Sequence, residues 1–412
     1  MKFAIIALRN LSRHRRRTLL SLLVIAAGAV AVILTGGFIR FSFDGLREAI
    51  IHGGLGHLEL MPAATAGPAG PDRAAPPALA DWTRVRDAAE STPHVLAAGA
   101  AVYLTGMASK DDHSSAFVGV ALEPARERKM NLEVKIRGGR NLPDAPPPVG
   151  EDEILLGVSL AGSLGAGPGD VVTVTAMTAD GTLNALDCRV AGLVTSGLQE
   201  LDARLLKTHL ATGERLLGTD RVSSIVIGLD DTERTQEVGD ALALRLRSVS
   251  TDPLVITDWR TRAPFYGQVR ALYSGIFWFL GGIVFVLVCL ATSNTLLMSV
   301  LERVREFGTL LAIGTGRGQV ASMVVLEALW LGVLGALVGD GVAAALVTAI
   351  NAAGIEMPPP PGAAAGFPLQ LAVHPGDFVA VVGLMVVVLA VAAIFPAVRT
   401  VRLRIVDALG HV

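Results

Sequence analysis

The chain has 412 residues, of which 51% are hydrophobic and only 17% charged, with 45 glycines in addition. So apolar a chain is not disordered, and it is no ordinary soluble enzyme, because that much apolar surface calls for lipid or a very large core. A net charge of -2 supplies no basic field for nucleic acid, and none of the five lysines follows a glycine, which excludes a GxxxxGK[ST] phosphate loop.

Four apolar stretches reach the roughly 20 residues that a bilayer requires. In chain order the sequence divides into a cytoplasmic amphipathic N-terminus at 1–18, a first span at 19–40, and an extracytoplasmic region at 41–271. A second span follows at 272–300, a cytoplasmic loop at 301–319, a third span at 320–350, an outer loop at 351–377, a fourth span at 378–398 and a cytoplasmic tail at 399–412. Arginines set this orientation. Arg9, Arg13, Arg15, Arg16 and Arg17 precede the first span, Arg303, Arg305 and Arg317 lie between the second and third, and Arg399, Arg402 and Arg404 follow the fourth. Positive residues stay inside, so both termini are expected in the cytoplasm of a multi-pass inner-membrane protein. The first apolar run is longer than a signal-peptide core and reads as an uncleaved anchor.

Within the outer region, Phe41–Ile51 is amphipathic and continues the first helix. Strands are expected at 56–60, 95–105, 116–121, 171–178, 187–193, 222–229 and 254–257, and helices at 81–91, 154–164, within 205–217 and at 233–248. Asp180-Gly181 is a turn pair between two of the strands. Residues 62–78 and 143–148 read as loops, and Pro358–Pro361 as a stiff spacer. The alternation predicts one or two α+β units. The fold class is therefore an α-helical membrane protein with four transmembrane helices plus a large extracytoplasmic α+β domain.

Catalytic patterns do not emerge. The eight histidines form neither HxH nor HExxH, and no GxSxG elbow is present. Cys188 and Cys289 lack metal-ligand companions, and His52 and His57 flank a glycine turn as ordinary polar residues. Asp340 is a charge inside the third span, placed towards its outer end where solvation is easy.

The informative segment is Asn294–Gly314. On a helix Val304, Phe307 and Leu311 share one face, while Glu302/Arg305 and Arg303/Glu306 are opposite charges three apart. A short amphipathic helix ending near Gly314 or Gly316 is predicted. Composition leaves two readings open, a helix resting on lipid headgroups and a docking knob for a cytoplasmic partner.

Asn294–Gly314 resembles the cytoplasmic signature of the MacB/FtsX/LolC-LolE permease family of ABC transporters, approximately N…ER..E.G.L.A.G, followed by a helix with an acidic residue, here Glu327. Leu8–Leu20 is similar to the family's N-terminal amphipathic helix, and Pro396–Leu409 to its C-terminal PA..A..…P..AL pattern, with Ile405 where proline is usual. Glu153–Gly165 followed by Gly169-Asp170 resembles an outer-domain pattern of the family. Val190–Asp202 and Trp259 resemble the lipoprotein-releasing branch in particular. The resemblance covers nearly the whole chain.

It implies a MacB-like periplasmic core domain and a permease driven by a separate ABC ATPase subunit, with ATP bound by that subunit and no cofactor in this chain. Glu302, Arg303, Glu306 and Phe307 match the element that couples to the ATPase; Val304 and Leu311 share its apolar face with Phe307, and Phe307, as the aromatic on that face, is the expected anchor. Permeases of the family work as pairs, so the expected partners are a second copy or a sister permease, membrane lipid and a periplasmic carrier. In the lipoprotein extractors lipid passes between the first two spans of paired subunits, and Val24, Ala27, Ala31, Phe279 and Val286 are the apolar positions on those helices expected to line such an entry. The implied function is transmission of ATP-driven motion for extraction or export of lipoprotein or another hydrophobic substrate. A signalling scaffold that regulates a cell-wall hydrolase, as in the FtsX branch, is the alternative. Besides Ile405, the chain departs from the family at Asp340, where small residues are usual, and in two larger respects. It carries no fused nucleotide-binding domain of the MacB kind, and the short Thr178–Asn184 turn stands where one lipoprotein-releasing permease has a carrier-recruiting hairpin.

Overall fold

A run of small and aliphatic residues without a central charge folds the first apolar stretch into one helix, α1, Arg15–Ile50. The computed structural model describes residues 15–66, 76–132, 135–197, 199–247, 249–250, 253–357 and 367–401. The first and last arms of the resemblance, 1–14 and 402–412, lie outside these residues, as do 67–75 of the predicted loop, the tetraproline, and Leu198. The chain forms two compact units: Asp44–Val269 with Met357–Phe367, and the flanking helical segments.

The first unit begins where α1 gives way to a wide turn, Ile51–Leu55. Gly54 (φ 121°) and Gly56 (φ 69°) take the positive φ values needed to redirect the chain there. Strand β1, Leu58–Pro62, follows, then α2, Trp82–Glu90, β2, Val95–Lys110, β3, His113–Leu122, and α3, Pro124–Lys129. Next come β4, Lys135–Gly139, β5, Glu153–Gly157, α4, Val158–Leu164, β6, Val171–Met177, and β7, Leu183–Thr195. The unit closes with α5, Gln199–Asp202, β8, Leu205–His209, α6, Leu210–Leu217, β9, Ser224–Leu229, α7, Thr235–Leu246, β10, Leu254–Asp258, and α8, Trp259–Arg262.

All ten strands join one sheet in the order β10-β1-β9-β2-β3-β8-β5-β7-β4, with β6 bridging β2 and β7. The β3–β8 and β5–β7 pairs are parallel and the others antiparallel. Val102, Leu104, Phe117, Ile154, Leu156, Leu206 and Ile225 build the core with Val85, Leu160, Val238 and Leu242 from the helices. The region is thus a single sheet rather than two units.

One expected helix is corrected. Residues 154–164 are a strand followed by a helix. Ile154, Leu155 and Leu156 are buried on both faces between β7 and β8, and an unbroken apolar run of that kind cannot be told from a buried helix by period alone. The helix expected within 205–217 is Leu210–Leu217, and Leu205–His209 ahead of it is a central strand. Strand β4, Lys-Ile-Arg-Gly-Gly, carries almost no apolar alternation and is held by its ladder to β7.

His57 sits at the start of β1. Its Nδ1 accepts the Leu229 amide at 3.1 Å and its Nε2 lies 3.0 Å from the Thr232 hydroxyl. Burial, with His52 nearby, pushes its pKa down to about 4. The unfolded chain therefore binds more protons between about pH 6.5 and 4, and stability falls as pH drops through that window. The linked loss is about 2–3 kcal/mol between pH 7 and 4. Thermal unfolding of the purified chain should show this slope in the wild type and a flatter one in His57→Gln.

The flanking helices are α9, Pro264–Glu302, α10, Val304–Ala312, α11, Arg317–Ala353, and α12, Pro375–Val401. Four of the helices, α1, α9, α11 and α12, are long and apolar enough to cross a membrane. Ile25, Ala29, Ala328, Leu331, Ala336, Met385, Leu389 and Ala393 form their common core. Gly335 and Gly339, four residues apart on α11, let α1 approach closely, since a Cβ at either would lie 2.7 Å from Ile25 or Ala29. Arg40 grips Asp377 through two bonds, 2.5 and 2.9 Å, which fastens α1 to the start of α12. Asp340 is half-buried, with its Oδ1 shielded and without a hydrogen-bond partner among the described residues.

Candidate functional site

The segment between the second and third long helices is a separate short helix, α10, because the backbone breaks at Arg303 (φ -110°, ψ 15°). Gly314, with φ 97°, stands just beyond its end. Val304, Phe307 and Leu311 all face inward. Phe307 is 2% exposed and clusters with Val300 of α9, Leu311, and Val320 and Val324 of α11. The predicted apolar face therefore exists, but this chain itself covers it. Phe307 is thus covered within this chain and not presented as the exposed anchor that the helical face suggested.

Arg303 is itself buried. Its Nε lies 2.9 Å from Glu306 Oε2, its Nη1 lies 3.2 Å from Glu327 Oε2 on α11, and its guanidinium stacks 5.1 Å from the centre of the Phe307 ring. One of the two predicted ion pairs, Arg303–Glu306, thus forms within a larger cluster. The tie to Glu327 was missed from sequence. Its signal was an acidic residue in an otherwise apolar helix, which calls for a partner. The outward face of the segment consists of Glu302, Arg305, Glu306 and Thr309, continuing into Ile313, which is 75% exposed.

Val24, Ala27, Ala31, Phe279 and Val286 are all exposed on α1 and α9. Helix α9 shows much bare apolar surface, with Trp278 83% exposed and Leu287 and Leu290 also open. The structure leaves these positions free to meet lipid, another chain or a hydrophobic ligand.

Where the sheet-bearing unit begins and ends, a second cluster went unforeseen. Arg262 of α8 donates to the Leu55 carbonyl, lies 2.8 Å from Glu59 Oε2 and reaches the Tyr103 hydroxyl at 3.1 Å. Tyr103 donates to Glu59 Oε1 at 2.5 Å, and burial pushes its pKa up to about 12. Ile51, Trp259 and Tyr266 pack beside them. Trp259 is therefore a structural residue here. So is the motif ending in Asp202, whose carboxylate accepts from Thr195 Oγ1 (2.5 Å), the Ser196 amide (2.7 Å) and the Ser196 hydroxyl (2.7 Å). Those bonds close the turn after β7.

Residues 18–244, more than half of the chain, match the MacB-like periplasmic core domain, and residues 278–405 match the FtsX-like permease C-terminal domain. The lipoprotein-releasing system transmembrane protein LolC of Xylella fastidiosa is 26% identical over 268 residues, 63% of this chain and 62% of that protein. The ABC transporter permease YknZ of Bacillus subtilis is 27% identical over 169 residues, 39% of this chain and 41% of that one. The chain thus spans less than two thirds of the length of these relatives. Among solved structures, the periplasmic region of MacB from Actinobacillus actinomycetemcomitans is 14% identical with a TM-score of 0.37, covering 51% of this chain and 92% of that one. Two profiles in tandem, one on the sheet-bearing unit and one on the helices that follow it, fit a single architecture, and the chain belongs to the MacB/FtsX/LolC-like permease family of ABC transporters.

Proposed function

We propose that this chain is the permease subunit of an ABC transporter that passes ATP-driven motion from a separate ATPase chain to its large sheet-bearing domain. The cargo in this reading is a lipoprotein or another hydrophobic substrate. The observation that carries it is the outward face of α10, a charged strip, Glu302, Arg305 and Glu306, running into a bare Ile313. ATP is bound by the partner. In this reading both termini and α10 are cytoplasmic and the sheet lies outside, an orientation that the arginine-rich flanks support. A second copy or a sister permease covers the bare side of α9, and Val24, Ala27, Ala31, Phe279 and Val286 line the route by which lipid reaches the pair. The tight Thr178–Thr182 turn, closed by a 2.7 Å backbone bond, supplies no protruding hairpin for a carrier.

Co-purification with the ATPase tests the reading. Ile313→Asp should lower ATPase recovery about tenfold, corresponding to about 1.4 kcal/mol. Glu302→Ala should cost under about 1 kcal/mol, as rim ion pairs do. Equal recovery with wild type and both variants would show that α10 rests on lipid, and the ATPase-driven reading would be abandoned.

A further inference from the structure

Building on the reading of α10 as the ATPase-facing element, we infer that Arg303 is a positioning residue that fastens α10 to α11, so that the two move as one body about the break between α9 and α10. The backbone interruption at Arg303 supplies the bend, and the side chain of that same residue supplies the fastening. Its guanidinium meets one carboxylate on each helix, Glu306 on α10 and Glu327 on α11, and its flat face lies on Phe307. A planar fork suits two carboxylates at once, whereas a lysine is a single point charge. Arg303 and Glu327 are largely shielded from water, with side chains only 10% and 14% exposed, so the pair is not a loose surface contact.

Apolar packing adds to the fastening. Phe307 and Leu311 of α10 lie against Val320 and Val324 in the first turns of α11, with Val300 at the end of α9, just ahead of the break, in the same cluster. Further along α11, Gly335 and Gly339 seat α1 at close range. A displacement applied to Arg305, Thr309 and Ile313 is therefore handed to α11 and on to α1, while the angle between α9 and α10 absorbs the bend. Proximity alone does not establish such a route; a demonstrated two-state distance does.

Pulsed electron resonance on the full-length chain in nanodiscs reads it directly. Cys188 and Cys289 are replaced by alanine, and nitroxides are placed at Thr309 with either Ser322 on α11 or Met298 on α9, all exposed positions. The Thr309–Ser322 distance should be narrow and should stay unchanged when the co-purified ATPase is trapped with ATP and vanadate. The Thr309–Met298 distance should shift under the same trapping. In the chain without ATPase, Arg303→Gln and Glu327→Ala should broaden the Thr309–Ser322 distribution. Glu327→Gln, which still accepts from the guanidinium, should keep it narrow. A Thr309–Ser322 shift on trapping, or a narrow distribution in Arg303→Gln, would overturn the inference. If no ATPase co-purifies, the reading of α10 as the ATPase-facing element is lost, while the distributions without ATPase still decide whether Arg303 fastens the two helices.

Discussion

Phe307→Ala should destabilise the helical unit by about 3 kcal/mol or more, the usual cost of emptying a buried phenylalanine site. The ring fills the space between α9, α10 and α11 and carries the Arg303 guanidinium on its face. Its loss removes apolar contacts and loosens the Arg303 guanidinium that bridges Glu306 and Glu327. Thermal unfolding in detergent should show a clear drop in midpoint, with ATPase recovery falling as a consequence. Phe307→Leu should keep most of the stability. Ile313→Asp should leave the midpoint where it is and affect recovery alone. An unchanged midpoint in Phe307→Ala would mean that the ring is not buried as described.

Lys207→Met should be the most damaging single change in the sheet. Lys207 lies on β8, between β3 and β5, and its ammonium pairs with Glu127 of α3; the two residues are 3% and 7% exposed. Removing the cation leaves a buried carboxylate uncompensated, which costs about 3–5 kcal/mol. The double change Lys207→Met with Glu127→Leu should recover most of that loss, because it removes the desolvated charge along with its partner. Chemical denaturation of wild type, single and double variants measures both. A double variant as unstable as the single one would show that the pair contributes more than charge compensation.

The architecture was readable where the physics is local. Four long apolar runs became four long helices, and alternating stretches such as Val171–Met177 became strands. Failures fell where tertiary surroundings decide. Ile154–Leu156 is apolar on both faces, so it carries no period to distinguish strand from helix. Lys135–Gly139 holds its place through backbone bonds to β7 that its side chains do not announce. On α10 the face of Val304, Phe307 and Leu311 was correctly drawn by helical spacing, but spacing cannot say who covers a face. Its own flanking helices do, and that moves the outward surface to Arg305, Thr309 and Ile313. The Arg303–Glu327 contact joins residues 24 apart across a helix break, beyond the reach of any short-range pattern.

The placement of β1 and β10 has a mechanical consequence. They are antiparallel neighbours, and Leu58 and Asp258, where the chain comes into the sheet and goes out of it, face each other across one rung. Tension that pulled these two ends apart would unzip the pair rung by rung, the weakest way to load a ladder. Tension along the strands, shared by both ends, would instead shear β1 against β9 as well, and many bonds would resist together. The Arg262 link to Leu55 and the Ile51–Trp259–Tyr266 contact sit ahead of the first rung, so a separating load reaches them before it reaches the ladder. If the domain is pulled as the proposed function requires, a load on both ends at once is the one its ladder resists, and Arg262 and Trp259 are the stitch that would keep the seam from opening.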